Sequence, residues 1–80
     1  MSTVYVLKSL KDPKRYYIGI TRDLERRLKE HNSEQAGYSK RYAPWEVETC
    51  VTFKNEELAR RFEKYLKAGL GQAFLRKKLI

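Results

Sequence analysis

The first apolar run, Val4-Tyr5-Val6-Leu7, is dense and rich in strand formers, and Lys11-Asp12-Pro13-Lys14 interrupts it with turn residues. Tyr16-Tyr17-Ile18-Gly19-Ile20 resumes the run, so the two segments predict a hairpin. The period then changes. Leu24, Leu28 and His31 fall at i, i+4 and i+7, a helical stripe expected over about residues 22–31. Thr21 is the expected N-cap, and Asp23 and Glu25 put negative charge at the positive helix end. Residues 33–44 read as a polar loop in which Tyr38-Ser39-Lys40-Arg41-Tyr42 interleaves aromatic and basic side chains. Trp45, Val47, Val51 and Phe53 share one parity of a third strand, with Glu46, Glu48 and Thr52 on the other. Asn55 caps a second helix over about 56–68, with Leu58, Ala59, Phe62, Tyr65 and Leu66 as its apolar face. Gly69 and Gly71 are read as its end, and Phe74, Leu75, Lys78 and Leu79 carry helical spacing in the tail. The order is β-β-α-β-α with a further short α: an α+β domain built on a three-stranded antiparallel sheet.

Strand parity then sorts the polar side chains. Val4 and Val6 share a face of the first strand and Ile18 and Ile20 a face of the second, so Tyr5, Tyr17 and Gly19 point the other way. On the helices, Arg27 and Glu63 border the packed stripes, whereas Arg26, Lys29, Arg60, Lys64 and Lys67 are placed for water. Both border residues can reach one cleft beside the sheet. Each also has a plainer reading: a strand tyrosine packs, a border arginine covers apolar surface with its stem, Glu63 pairs with Lys67, His31 caps or packs, and Gly19 marks a bulge or a crowded site.

Composition narrows the partners. The 80 residues suffice for one domain, because a chain this short buries only about 60% of its unfolded surface. Eighteen basic against ten acidic residues leave a net charge of +8, which favours nucleic acid as a polyanionic partner. No apolar stretch approaches the roughly 20 residues that span a bilayer, and the start lacks a signal-peptide pattern. Cys50 is the only cysteine, which excludes an internal disulfide and a cysteine-rich zinc site. The cytoplasm is the expected compartment, with no membrane partner.

The order Val4-Tyr5-Val6, then Tyr17-Ile18-Gly19, then a helix with Arg27, then a later helix with Glu63 resembles the GIY-YIG nuclease superfamily. The likeness spans nearly the whole of residues 1–80, which looks similar to the N-terminal nuclease domain found in excinucleases. The first motif, Thr3-Val4-Tyr5, lacks the family's leading glycine but keeps its tyrosine. With no further DNA-binding domain expected, the chain looks like the small stand-alone members.

The resemblance implies a metal-dependent endonuclease that hydrolyses phosphodiesters in nucleic acid, DNA rather than RNA. It implies Tyr5, Tyr17, Arg27, His31 and Glu63 as catalytic residues, and Glu63 as the ligand of one Mg²⁺ or Mn²⁺. The residue types suit the chemistry. A single carboxylate with waters can hold a hard cation, and a guanidinium fork grips a phosphate. A tyrosine acting as base must have its pKa, about 10 when free, lowered by its site. Which tyrosine takes that role stays open, with Tyr5 preferred. Gly19, Lys40 and Arg41 are the expected substrate contacts, the last two beside stacking rings at Tyr38 and Tyr42. A binding module of the same fold with little catalysis is the alternative. A domain meeting an acidic protein comes third, and a separate protein partner could supply targeting.

Overall fold

Four consecutive apolar residues can all be buried only if their strand is covered on both faces. The computed structural model, which describes residues 1–33 and 37–80 and omits the side chains of 37–39, has this arrangement. Strand β1 (Ser2–Ser9) lies in the middle of an antiparallel sheet, between β2 (Tyr16–Thr21) and β3 (Trp45–Phe53). Val4, Tyr5, Val6 and Leu7 are all buried.

The two faces separate as the strand parity predicts. Val4, Val6, Ile18 and Ile20 pack against Ala59, Phe62 and Leu66 of helix α2 (Glu56–Lys67). Tyr5, Leu7 and Tyr17 pack on the other face with Leu24 and Leu28 of helix α1 (Leu24–His31). The domain is thus a sheet between two helical layers, and the tyrosines share the α1 layer.

The single-parity reading of β3 is corrected. Val6 pairs with Thr49 but Leu7 with Val47, so Glu48 is an extra residue in the ladder. A bulge of this kind reverses which face the alternating side chains meet. Trp45 and Val47 therefore join Tyr5 and Leu7, whereas Phe53 joins Val4 and Val6. One amphipathic-looking strand supplies apolar residues to both cores.

Helix limits also shift. Asp23, not Thr21, caps α1, its carboxylate accepting from Arg26 N at 3.1 Å. Thr21 is still strand, paired with Thr3, and its hydroxyl accepts from Asp23 N at 3.1 Å. Asn55 caps α2 as expected, accepting from Glu57 N and Leu58 N. The apolar face of α2 is narrower than its sequence suggests, since Leu58 and Tyr65 are exposed. Gly69 and Gly71 do not end α2: Ala68 breaks it with extended backbone, and Gly69 opens helix α3 (Gly69–Phe74), which a π-helical turn at Leu75–Leu79 continues. Gly71 is buried, and a Cβ there would strike the Tyr65 backbone carbonyl. The expected polar loop contains a 3₁₀ segment, Gly37–Tyr42, and residues 34–36 of that loop lie outside the described residues. Among the described residues, no helix is long and apolar enough to cross a membrane.

Candidate functional site

The register that sets Tyr5 opposite Gly19 has a direct consequence. The Tyr5 phenol lies across Gly19, occupying the space a Cβ would take. The glycine lets an aromatic ring close over its neighbour strand, so the backbone access expected for a phosphate at Gly19 is instead filled by Tyr5. The phenol reaches the end of α1, where its oxygen is 3.0 Å from His31 Nε2. Tyr17 completes the cluster: its ring centroid is 4.4 Å from the His31 ring and 6.5 Å from that of Tyr5. Tyr5 is 2% exposed, His31 is buried, and Tyr17 is half-buried. His31 stands here because the stripe Leu24, Leu28, His31 turns its last member under the sheet.

The electrostatics distinguish these groups. Burial pushes the Tyr5 hydroxyl up to about 12; Arg27 opposes the rise, and Tyr17, Glu63 and Glu30 add to it. Burial, and then the Arg27 guanidinium, hold His31 below its ordinary value, with Glu30 acting in the other direction. At neutral pH the pair is therefore a protonated phenol beside a neutral imidazole, and the Tyr5 O–H can donate to Nε2.

Arg27 is half-buried on α1, and its Nη1 is 3.5 Å from Glu30 Oε1. Glu30 was not singled out by sequence reasoning, although its i,i+3 spacing from Arg27 is the signal for it. Glu63 arrives from α2, the opposite layer. Its charge acts on Tyr5, but its ion-pair partner is Lys67 Nζ at 3.0 Å. It also lines an open groove of about 430 Å³ with Ile20, Thr21, Arg22, Arg60 and Lys64. Arg22 donates twice to Glu56 Oε1, at 3.1 and 2.7 Å, and Arg60 lies 3.4 Å from Glu56 Oε2. Sequence reasoning passed over Arg22 and set Arg60 and Lys64 aside as solvent-facing. Their places beside Thr21 and within one turn of Glu63 mark them as the rim of that groove.

The structure thus brings Tyr5, Tyr17 and His31 into contact, with Arg27 in electrostatic reach. Glu63 acts across the sheet from a neighbouring groove. Lys40 and Arg41 belong elsewhere, on the 3₁₀ segment beside the β1–β2 turn, where the Arg41 carbonyl accepts from Lys11 Nζ at 3.4 Å. Tyr42 is half-buried under Arg15, whose Cζ is 4.8 Å from its ring centroid, so its ring is engaged within the protein. The Tyr38 side chain lies outside the described residues.

Among the described residues, no group of three or more His, Cys, Asp or Glu side chains is placed to hold a metal. Glu63 alone fits a hard divalent cation, which accepts one carboxylate and completes its shell with water and substrate oxygen. Its side chain keeps 18% exposure and its partner Lys67 is half exposed, so the lysine can swing aside.

A small three-stranded sheet carrying paired tyrosines, a helix-end histidine and a helix-border arginine defines a GIY-YIG type of domain. Residues 1–77 match the family model described as the GIY-YIG catalytic domain. The chain belongs to this family. It is similar to the structure-specific endonuclease subunit SLX1 of Debaryomyces hansenii, 39% identical over 70 residues, covering 79% of this chain and 20% of that protein. It is 43% identical over 68 residues to the SLX1 homolog 1 of Trypanosoma cruzi, covering 75% of this chain and 13% of the relative. The slx1 subunit of Talaromyces marneffei is 40% identical over 65 residues, 74% of this chain and 17% of its own length. The chain therefore spans a fifth or less of the length of these relatives.

Proposed function

We propose that this domain is a metal-dependent endonuclease acting on nucleic acid, DNA rather than RNA. The observation that carries the reading is the Tyr5–His31 hydrogen bond, set beside Tyr17 and within the field of Arg27, in a chain of this family. The relatives' description as structure-specific endonuclease subunits supports a substrate of defined shape and a protein partner that supplies targeting.

The chemistry follows from the protonation states. A phenol at about 12 keeps its proton at neutral pH, so Tyr5 is a poor base by itself. A water that hands its proton to the Tyr5 oxygen while the phenol passes its own to His31 Nε2 leaves the charge on the imidazole. No free phenolate accumulates. His31 is neutral at pH 7 and can accept. Tyr17 orients the water or a phosphate oxygen from its half-exposed position beside the His31 ring. Arg27 binds the reacting phosphate and stabilises the charge that develops on it, giving up its contact with Glu30. Glu63 would hold one Mg²⁺ or Mn²⁺, which supplies Lewis-acid stabilisation to the phosphate oxygens.

Glu63→Gln keeps the shape and removes the charge. It should abolish cleavage of labelled DNA across a Mg²⁺ or Mn²⁺ titration while costing about 0.5 kcal/mol or less of stability, since it breaks only an exposed i,i+4 pair. Equal cutting by both proteins would place the activity elsewhere. If neither cuts a broad panel of substrates but both bind, the domain is a nucleic-acid-binding module of the same fold.

A further inference from the structure

The β1–β2 turn and the 3₁₀ segment lie far apart in sequence but are tied together. Leu10 N donates to the Pro44 carbonyl at 2.8 Å, the Ser9 hydroxyl donates to the Tyr42 carbonyl, and Lys11 Nζ donates to the Arg41 carbonyl. Arg15 stacks over the Tyr42 ring from the other side of the turn. These contacts gather Lys11, Lys14, Arg15, Lys40 and Arg41 at one end of the sheet. A second groove of about 270 Å³ adds Arg76 to Lys14 and Arg15, with Tyr16, Gln72 and Ile80.

The charge balance at this end differs from that beside Glu63. Arg22 and Arg60 in the Glu63 groove are both held by Glu56. At the turn, the nearest carboxylate is Asp12, engaged with Arg15 at 3.5 Å and with the backbone N–H of Lys14. Among the described residues, Lys11, Lys14, Lys40, Arg41 and Arg76 have no carboxylate in ion-pair contact. Lys8 stands opposite Glu46 in the β1–β3 pairing and does not add to this excess. Uncompensated cations held by backbone contacts are a place where polyanion binding releases counterions without first breaking protein ion pairs.

The hairpin fixes how far this end lies from the tyrosines. The Lys8–Tyr16 pair is three residues along the hairpin from the Tyr5–Gly19 pair, and the turn lies beyond it. Three strand residues cover about 10 Å, roughly three nucleotide steps along a duplex strand. We infer that the β1–β2 turn, the 3₁₀ segment and Arg76 form a second phosphate-binding site. It anchors the nucleic-acid backbone three or more nucleotides from the reacting phosphate and takes no part in the chemistry. The inference rests on the nucleic-acid reading of the domain but not on catalysis.

The test compares two doubles that lose the same charge, Lys11→Ala/Lys14→Ala at the turn and Lys29→Ala/Lys54→Ala elsewhere. Binding of a fluorescein-labelled DNA duplex carrying a single-stranded flap is measured by anisotropy in EDTA over a salt series, with thermal melts to verify folding. The turn double should raise Kd about tenfold or more beyond the control and reduce the log–log salt slope by roughly 2. Its single-turnover rate with Mg²⁺ at saturating DNA should match wild type. Equal effects of the two doubles would mean that net charge alone matters and would overturn the site. So would a turn double with wild-type Kd, as expected if this surface meets an acidic protein instead. Failure of the wild type to cut leaves this comparison intact, because binding is read without metal.

Discussion

The Tyr5 phenol lies across Gly19 and ends on His31, so three residues from three elements hold one another in place. Gly19→Ala puts a methyl group where the phenol lies. The ring must tilt away, and a loss of about 1–3 kcal/mol by thermal or urea unfolding is expected, with weakened cleavage because the hydrogen bond to His31 is displaced. A variant as stable and active as wild type would contradict this packing. Tyr5→Phe keeps the ring and removes only the proton path. Single-turnover cleavage should fall by about 10²–10⁴ while DNA affinity is retained. The pH dependence follows from the signs of the two shifts. His31 is lowered in the fold, so its contribution to stability is complete above 6.5 and is lost as pH falls through the lower folded value. Tyr5 is raised, so its contribution is complete below pH 10.0 and is lost as pH climbs towards about 12. Cleavage rates should therefore show an acid limb below pH 6.5; a limb centred above it would remove His31 as proton acceptor.

At the scale of elements, the two C-terminal glycines separate conformation from packing. The sequence makes Gly69 and Gly71 look alike, as helix stops. Gly69 opens α3 with nothing within 4 Å of a Cβ, whereas Gly71 lies against the Tyr65 backbone carbonyl, which cannot step aside as a side chain can. Gly69→Ala should be neutral or stabilising by up to about 1 kcal/mol, because it lowers the entropy of the unfolded chain. Gly71→Ala should destabilise by about 2 kcal/mol or more, since α3 must leave α2. Paired thermal melts decide it, and equal shifts would refute the close approach. The β3 bulge makes the same distinction. Trp45, Val47, Val51 and Phe53 keep perfect alternation in the sequence, yet one extra residue at Glu48 divides them between two cores.

For the whole molecule, the net charge of +8 predicts binding that is strong at low salt and weakly dependent on sequence. If 6–10 phosphates are contacted, affinity for a DNA duplex should drop by about 10³–10⁵ between 50 and 200 mM salt. Salt-independent affinity in an anisotropy titration would show that charge is not the driving force. The charge is not spread evenly. Pairs such as Arg22–Glu56, Arg61–Glu57 and Lys67–Glu63 neutralise much of the helical surface, which leaves the excess at the β1–β2 turn and the 3₁₀ segment.

Local periodicity by itself determined the element order, the hairpin, the Asn55 cap and the placing of Tyr5 and Tyr17 on the face opposite Val4 and Val6. These depend on the two-residue repeat of a strand and the 3.6-residue turn of a helix, which are written into neighbouring residues. Motif order in the chain also marked Arg27, His31 and Glu63 as candidates. Tertiary structure alone decided what each of them meets. No local pattern reports that Tyr5 covers Gly19 and bonds His31, 26 residues away. None reports that the bulge at Glu48 turns half of β3 over, or that Gly71 touches Tyr65. Ring stacking, burial and the shifts they impose on Tyr5 and His31 are set by distances between segments, and those distances exist only once the two helical layers have closed on the sheet.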